Sequence, residues 1–292
     1  MDFLVGNLGL NSFYKASTEY PVKIYARDFD NNGSYDAIPT IFLPPSQTDT
    51  IKKEFIVHTR DDMTKQMISF KSKFQNYKSY ASVPFSEMLT KDEMKGALVL
   101  KANNFNNSYV KNIGGGKFEI ASLPSVAQFS CMNGMLAEDF DGDGNLDVLI
   151  NGNDYGTEVA VGRYDACNGL LLKGDGKWGF TPQSILQSGW FVPGNGKALI
   201  KFKNPSGKVL VAASQNKGPL KVFRLNTNTT TIELKPQEVS ATIFYKNGKS
   251  RESNIDYGSS FLSQSGRFLN IDDKVSSVEV KDFKGNVRTI KM

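Results

Sequence analysis

Two nine-residue segments constrain this chain more than anything else in it. Asp28-Phe29-Asp30-Asn31-Asn32-Gly33-Ser34-Tyr35-Asp36 and Asp139-Phe140-Asp141-Gly142-Asp143-Gly144-Asn145-Leu146-Asp147 share the pattern D-F-D-x-[DN]-G-x-x-D. Each stands between apolar runs, so each is predicted to be the loop of a strand, acidic loop, strand unit. Three carboxylates in the first segment and four in the second, packed this closely, repel one another unless a cation is present. Gly33 and Gly144 fall at the sixth position, where the chain must turn sharply and a Cβ would obstruct it.

The spacing fits a hard divalent cation held by oxygen. In the first loop the side-chain donors would be Asp28, Asp30, Asn32 and Asp36, with the carbonyl of Ser34. In the second they would be Asp139, Asp141, Asp143 and Asp147, with the carbonyl of Asn145. An EF-hand is excluded, because its pattern needs a Glu at position 12 between helices. Here that position is Pro39 or Ile150, and the flanks are strand-like. Ca²⁺ suits an all-protein oxygen cage better than Mg²⁺ does. Its expected role is structural, with binding energy becoming folding energy. Asn32 lowers the charge of the first loop and is expected to weaken it.

Other elements recur as well. Asn112–Phe118 and Leu172–Phe180 both read as a strand, a Gly-rich hairpin and an aromatic return strand. A weaker copy of the strand pair, without acidic residues, runs from Gly196 to Val211. Repeats of several short strands predict a propeller or another radial β-array. Residues of different character, about 45–100, interrupt them. There Met63, Met67, Phe70 and Phe74 fall on one helical face, expected to point into a core. Thr90-Lys91-Asp92-Glu93 reads as a capping box before a second helix carrying Met94 and Leu98. An Asn/Thr-rich linker around Asn226–Thr231 precedes more strand signals, Val239–Tyr245 and Val275–Val280. Between them Asn247-Gly248 reads as a type I′ turn. The expected organisation is all-β: partial propeller blades over 1–225 with a helical insertion, then a small β-domain over 232–292.

At this point the residues resemble a known group. Asp139–Asp147 resembles the Ca²⁺ loop of FG-GAP/VCBS repeats, the blades of integrin-α-like propellers. Gly6-Asn7-Leu8-Gly9-Leu10-Asn11, Gly162-Arg163-Tyr164-Asp165 and Gly174-Asp175-Gly176 resemble a bacterial branch of that group, typical of Bacteroidetes-like surface proteins. Tyr257-Gly258-Ser259-Ser260-Phe261-Leu262-Ser263-Gln264-Ser265, with Val278-Glu279-Val280 and Asp282-Phe283-Lys284-Gly285, resembles an ASPIC/UnbV-type C-terminal module. The chain departs from that module at Phe261, where Tyr is usual, and at Leu269-Asn270-Ile271. The resemblance implies export, Ca²⁺ binding and contact with a protein or polysaccharide ligand. It implies no reaction. Since a whole propeller needs more blades than this chain encodes, upstream blades of a longer protein are expected, with the export signal among them.

Other chemistries have little support. The net charge of +5 is spread without a basic stripe, which argues against nucleic acid. No run of 18 apolar residues is present to span a membrane. The only histidine, His58, rules out an HExxH zinc site, and no G-x-S-x-G elbow occurs. Cys131 and Cys167 allow one disulfide or two free thiols. Tyr155, Tyr164 and Trp190 are candidate contacts, with core packing the alternative. The competing function class is an enzyme, for instance a carbohydrate-active one, with its site in the propeller funnel.

Overall fold

A computed structural model describes residues 1–292 apart from Ala160, Asn228 and Ser259. The chain is all-β, with 41% of residues in strands and 10% helical, and its several antiparallel sheets are none of them closed. It divides into two compact units, Ser12–Phe105 and the remainder, Met1–Asn11 with Asn106–Met292. Strand β1 (Phe3–Val5) belongs to the larger unit.

The smaller unit contains β2 (Val22–Arg27), β3 (Asp36–Leu43), β4 (Lys53–Ile56), four short helices and β5 (Leu98–Ala102). Its sheet has the order β4-β3-β2-β5. The β2/β3 hairpin closes at Arg27 opposite Asp36 and carries the first acidic loop at its tip. The helices are α1 (Arg60–Gln66), α2 (Ser69–Lys73), α3 (Tyr77–Ala81) and α4 (Phe85–Met88). They bury Met63, Met67, Phe70, Phe74, Phe85 and Met88 around Ile38. Each such burial stabilises the unit by roughly 1.5–3 kcal/mol.

Two expectations about these helices need correcting. The Met63–Phe74 stripe is buried as predicted, but it is not one helix. Met67 and Phe74 are extended (φ −131° and −126°) and end α1 and α2. Hydroxyls compete for the backbone here, with Ser72 Oγ donating to the Ser69 carbonyl. The Thr90–Glu93 capping box does form, Glu93 N donating to Thr90 Oγ1 and Thr90 N to the Glu93 carboxylate. The box opens only a turn, ended by left-handed Gly96 (φ 81°), and Leu98 starts a strand.

The larger unit continues with β6 (Ser108–Gly114), β7 (Lys117–Ser122), β8 (Met132–Glu138), β9 (Asp147–Gly152), β10 (Leu170–Gly174), β11 (Phe180–Gln183) and the helical turn α5 (Ile185–Ser188). Then come β12 (Gly196–Lys203), β13 (Val209–Gln215) and β14 (Lys221–Arg224). The sheets are β1-β6-β7, the meander β11-β10-β9-β8, and β12-β13-β14. Gly115 and Gly116, both at positive φ, turn β6 into β7. The second acidic loop is the β8/β9 tip, closed by Glu138 opposite Asp147. Every residue of β9 is buried. Val148 and Ile150 pack with Met132 and Leu172, whereas Leu149 packs with Leu136, Trp190 and Leu199. Apolar side chains at consecutive positions therefore reflect a sheet covered on both faces.

The chain ends with β15 (Thr230–Glu233), β16 (Glu238–Tyr245), β17 (Ser250–Asn254), β18 (Phe268–Ile271), β19 (Val275–Asp282) and β20 (Val287–Lys291). They pair as β15-β18 and β17-β16-β19-β20 around Ile243, Ile271, Val275, Val278 and Val280. The turn after β16 is not type I′. Gly248 alone has positive φ (82°), Gly248 N donates to the Tyr245 carbonyl, and Tyr245 N bonds to Lys249 O. That is a three-residue loop whose glycine takes the left-handed place. Of the expected linker, Thr230 and Thr231 are already strand, and Asn228 lies outside the described residues. No helix is long and apolar enough to cross a membrane among the described residues.

Candidate metal centre

The two loops are built by closely matching sets of side-chain to backbone hydrogen bonds. In the first, Asp28 accepts from Asn32 N at 3.0 Å and Gly33 N at 2.9 Å. Asp30 accepts from Asn32 N at 3.2 Å, and Asn32 Oδ1 from Ser34 N at 2.7 Å. Asp36 accepts from Phe29 N at 2.9 Å. In the second, Asp139 accepts from Gly142 N at 2.8 Å, Asp143 N at 3.1 Å and Gly144 N at 2.9 Å. Asp141 accepts from Asp143 N at 3.1 Å, and Asp143 Oδ1 from Asn145 N at 2.8 Å. Asp147 accepts from Phe140 N at 3.0 Å. Position by position, the first, third, fifth and ninth side chains share five N–H contacts between the loops, and Asp139 adds a sixth, to Gly142 N at the fourth position. Gly33 and Gly144 have φ of 87° and 91°, the left-handed conformation expected at the sixth position.

This wiring gathers carboxylates. Oxygens of Asp28, Asp30 and Asp36 lie within 4.8 Å of one another, and so do those of Asp139, Asp141 and Asp143. Asp147 does not join the second group. It is 2% exposed, and its other oxygen accepts from Gly174 N at 3.0 Å. Asn32 sits within the first loop's hydrogen-bond set, while Ser34 and Asn145 stand at the seventh position of their respective loops. Burial pushes the carboxyls of Asp36 and Asp139 above their ordinary range, and it pushes Asp147 up to about 6, helped by Asp141 and Asp143. These shifts mark groups that would hold a cation in preference to bare charge.

The surroundings of the two loops differ. Lys173, on β10, reaches Asp141 and also lies 3.4 Å from Asp143. That hydrogen bond to Asp141 holds the ammonium above its usual range. Among the described residues no salt bridge is seen at Asp28, Asp30 or Asp36. The second loop also meets the C-terminal strands. Gly142 O accepts from Lys274 Nζ, and Gly144 O accepts from Tyr245 Oη at 3.4 Å and Arg251 Nη1 at 3.3 Å. Sequence reasoning missed all four of these residues. Lys173 was within reach, since β10 follows the loop and pairs with β9. The other three lie more than a hundred residues away and carry no local signal.

The other candidate residues have ordinary structural places. Cys131 and Cys167 are free thiols, each pushed up by burial. His58 Nδ1 lies 3.1 Å from Gln66 Nε2. Trp190 is a core residue, 3% exposed, its indole donating to the Ile150 carbonyl. Tyr155 donates to the Pro193 carbonyl, and Tyr164 forms a bridge with Asp154. In the Tyr257–Ser265 stretch, Ser259 lies outside the described residues. Ser260 and Ser265 hydroxyls accept from Met135 N and Lys201 N, tying that stretch to β8 and β12. No protein-family model matches this chain, and a search of curated proteins finds no match.

Proposed function

We propose that the chain is a Ca²⁺-stabilised, extracytoplasmic binding or scaffold module of the FG-GAP/VCBS propeller kind with an ASPIC/UnbV-like C-terminal domain. The observation that carries this reading is the shared architecture of the two loops. Two segments over a hundred residues apart share most of their side-chain to backbone hydrogen bonds and crowd three carboxylates each, at positions one, three and nine in the first and one, three and five in the second. In this reading each loop takes one ion, contributed to by Asp28, Asp30, Asn32, Ser34 and Asp36 or by Asp139, Asp141, Asp143, Asn145 and Asp147. The ion cancels carboxylate repulsion and fixes the hairpin that carries it. The sheet formed by β8–β11 is a four-stranded antiparallel meander covered on both faces, the form a propeller blade takes, which supports the propeller reading.

The metal is structural in this account, and function lies in contact with a protein or polysaccharide outside the cell. Chelator-treated protein should melt at lower temperature than Ca²⁺-loaded protein. A screen of immobilised glycans and surface proteins should give ligands whose binding needs Ca²⁺. Identical melting curves with and without chelator would reject the metal reading, and turnover of a glycan in the screen would favour an enzyme.

A further inference from the structure

The turn between β10 and β11 holds one of the chain's two tryptophans in a costly place. Gly174 pairs with Phe180, and Asp175 N donates to Gly179 O at 3.0 Å, so Gly176-Lys177-Trp178 is a three-residue loop. The last place of such a loop is left-handed and suits glycine or asparagine. Trp178 occupies it with φ 70°. Asp175 Oδ1 fastens the loop by accepting from Lys177 N at 2.6 Å and Gly179 N at 2.8 Å. The related hairpin between β6 and β7 avoids this strain. Its positive-φ residues are Gly114, Gly115 and Gly116, and its aromatic residue, Phe118, lies within β7. A bulky side chain in a left-handed conformation persists where something other than its own backbone favours it.

Burial in a core does not account for Trp178. The residue is 55% exposed, whereas Trp190 is buried. Lys111, on β6, lies with Nζ 3.2 Å from the Trp178 ring centroid and covers one face of the indole. Among the described residues that ammonium makes no hydrogen bond or salt bridge, so the ring is its partner. The other face of the ring is left to solvent. The turn itself adds Asp175 and Lys177, both exposed. Both hydrogen bonds to Asp175 fall on Oδ1, so Oδ2 keeps lone pairs for a further donor. The tip is thus an aromatic ring backed by one lysine, open on one side, with an acceptor and a donor in the same turn.

We infer that Trp178 is the stacking platform of a sugar subsite, taking one pyranose ring of a polysaccharide on its open face. This rests on reading the chain as a ligand-binding module and makes no use of calcium. A pyranose carries C–H groups on its ring faces and hydroxyls around its rim. The weakly positive C–H groups meet the negative face of the indole. The rim hydroxyls need acceptors and donors, which Asp175 and Lys177 carry. A tryptophan that anchors a protein partner sits instead in a well-packed, desolvated pocket. Trp178 stands at a hairpin tip between charged residues, and a polysaccharide fits that setting better. Asp175 and Lys111 hold the loop and the ring before any ligand arrives, which lowers the ordering cost of binding.

Affinity electrophoresis and iodide quenching of the full chain test this, with dextran, β-glucan, galactomannan and alginate as probes. A polysaccharide that binds should retard the chain and shield the exposed tryptophan from iodide, while buried Trp190 stays unquenched throughout. Trp178→Ala should weaken that binding by about tenfold or more. Trp178→Phe keeps a ring and should restore most of it. Trp178→Asn suits the left-handed place, so it should melt within about 2 °C of the parent chain and still lose binding. That result separates a role in binding from a role in the fold. Retardation that is unchanged in Trp178→Ala would overturn the subsite and leave the binding-module reading standing. No retardation by any of the four probes would also overturn the subsite. The wider reading falls only if the screen of glycans and surface proteins is empty as well.

Discussion

The two acidic loops share a hydrogen-bond plan and differ in what surrounds them. The first stands at a hairpin tip with its glycine facing open space. The second has Lys173 on its carboxylates and Tyr245, Arg251 and Lys274 on its carbonyls. Asn32 was expected to make the first loop the weaker calcium site because it removes one charge. Lys173 works in the opposite direction, since its ammonium occupies the acidic group of the second loop and an entering ion must displace it. Ligand count and loop spacing alone therefore do not rank the two sites. Their neighbours also differ, and Tyr245, Arg251 and Lys274 come from distant parts of the sequence.

Calcium removal should have the largest effect. A ligand present at a hundred times its dissociation constant stabilises by about 2.7 kcal/mol per site, so chelation should lower the melting temperature by about 5 °C or more. Differential scanning calorimetry at matched ionic strength measures this. The metal-free protein should also lose stability as pH rises. Burial raises the pKa of Asp147 in the fold to about 6, from an ordinary value of 3.8. The fold therefore binds the proton more tightly than the unfolded chain does. The stability this gives is complete below pH 3.8 and is lost as pH climbs through about 6. At 1.36 kcal/mol per pH unit the loss is on the order of 3 kcal/mol. Bound calcium should abolish it, so melting curves with and without chelator should diverge between about pH 4 and pH 7. If they run parallel over that range, Asp147 is not coupled to an ion.

The next effect in size separates the loops by substitution. Asp139→Ala should destabilise the metal-free protein more than Asp28→Ala, by about 1–2 kcal/mol in urea unfolding. Only Asp139 orients carbonyls that other strands use, and each neutral hydrogen bond lost there is worth about 1 kcal/mol. Equal losses would mean that the C-terminal contacts contribute nothing. Smallest is the effect of Lys173→Met. It should raise calcium affinity at the second loop a few-fold, because an exposed ion pair is weak, and leave the first loop unchanged. A fall in affinity would show that Lys173 organises the loop rather than competing for it.

Much of the loop architecture was legible in the sequence because the relevant interactions are local. Each acidic loop contains its own donors, acceptors and turn glycine within nine residues, so the pattern in the chain is the pattern in space. The hairpins on either side followed from apolar runs, and β9, buried throughout, appears as the unbroken run Val148-Leu149-Ile150. The helices were less legible. Spacing correctly identified Met63, Met67, Phe70 and Phe74 as core residues. It said nothing about the breaks at Met67 and Phe74, where the backbone turns extended and ends each helix. The Thr90–Glu93 box specified a first turn, and Gly96 ended it before a helix could form. The contacts on the second loop were invisible for a different reason. Arg251 and Lys274 look like ordinary surface cations until β17 and the turn before β19 bring them to Gly144 and Gly142.

Whether these loops hold calcium at all is decided by calorimetric titration of the chelator-stripped chain. Two ions should bind per chain, with Asp30→Ala and Asp143→Ala each removing one and the double variant removing both. A titration with no calcium heat, and with no change in fold stability across it, would mean that the loops are polar turns and nothing more.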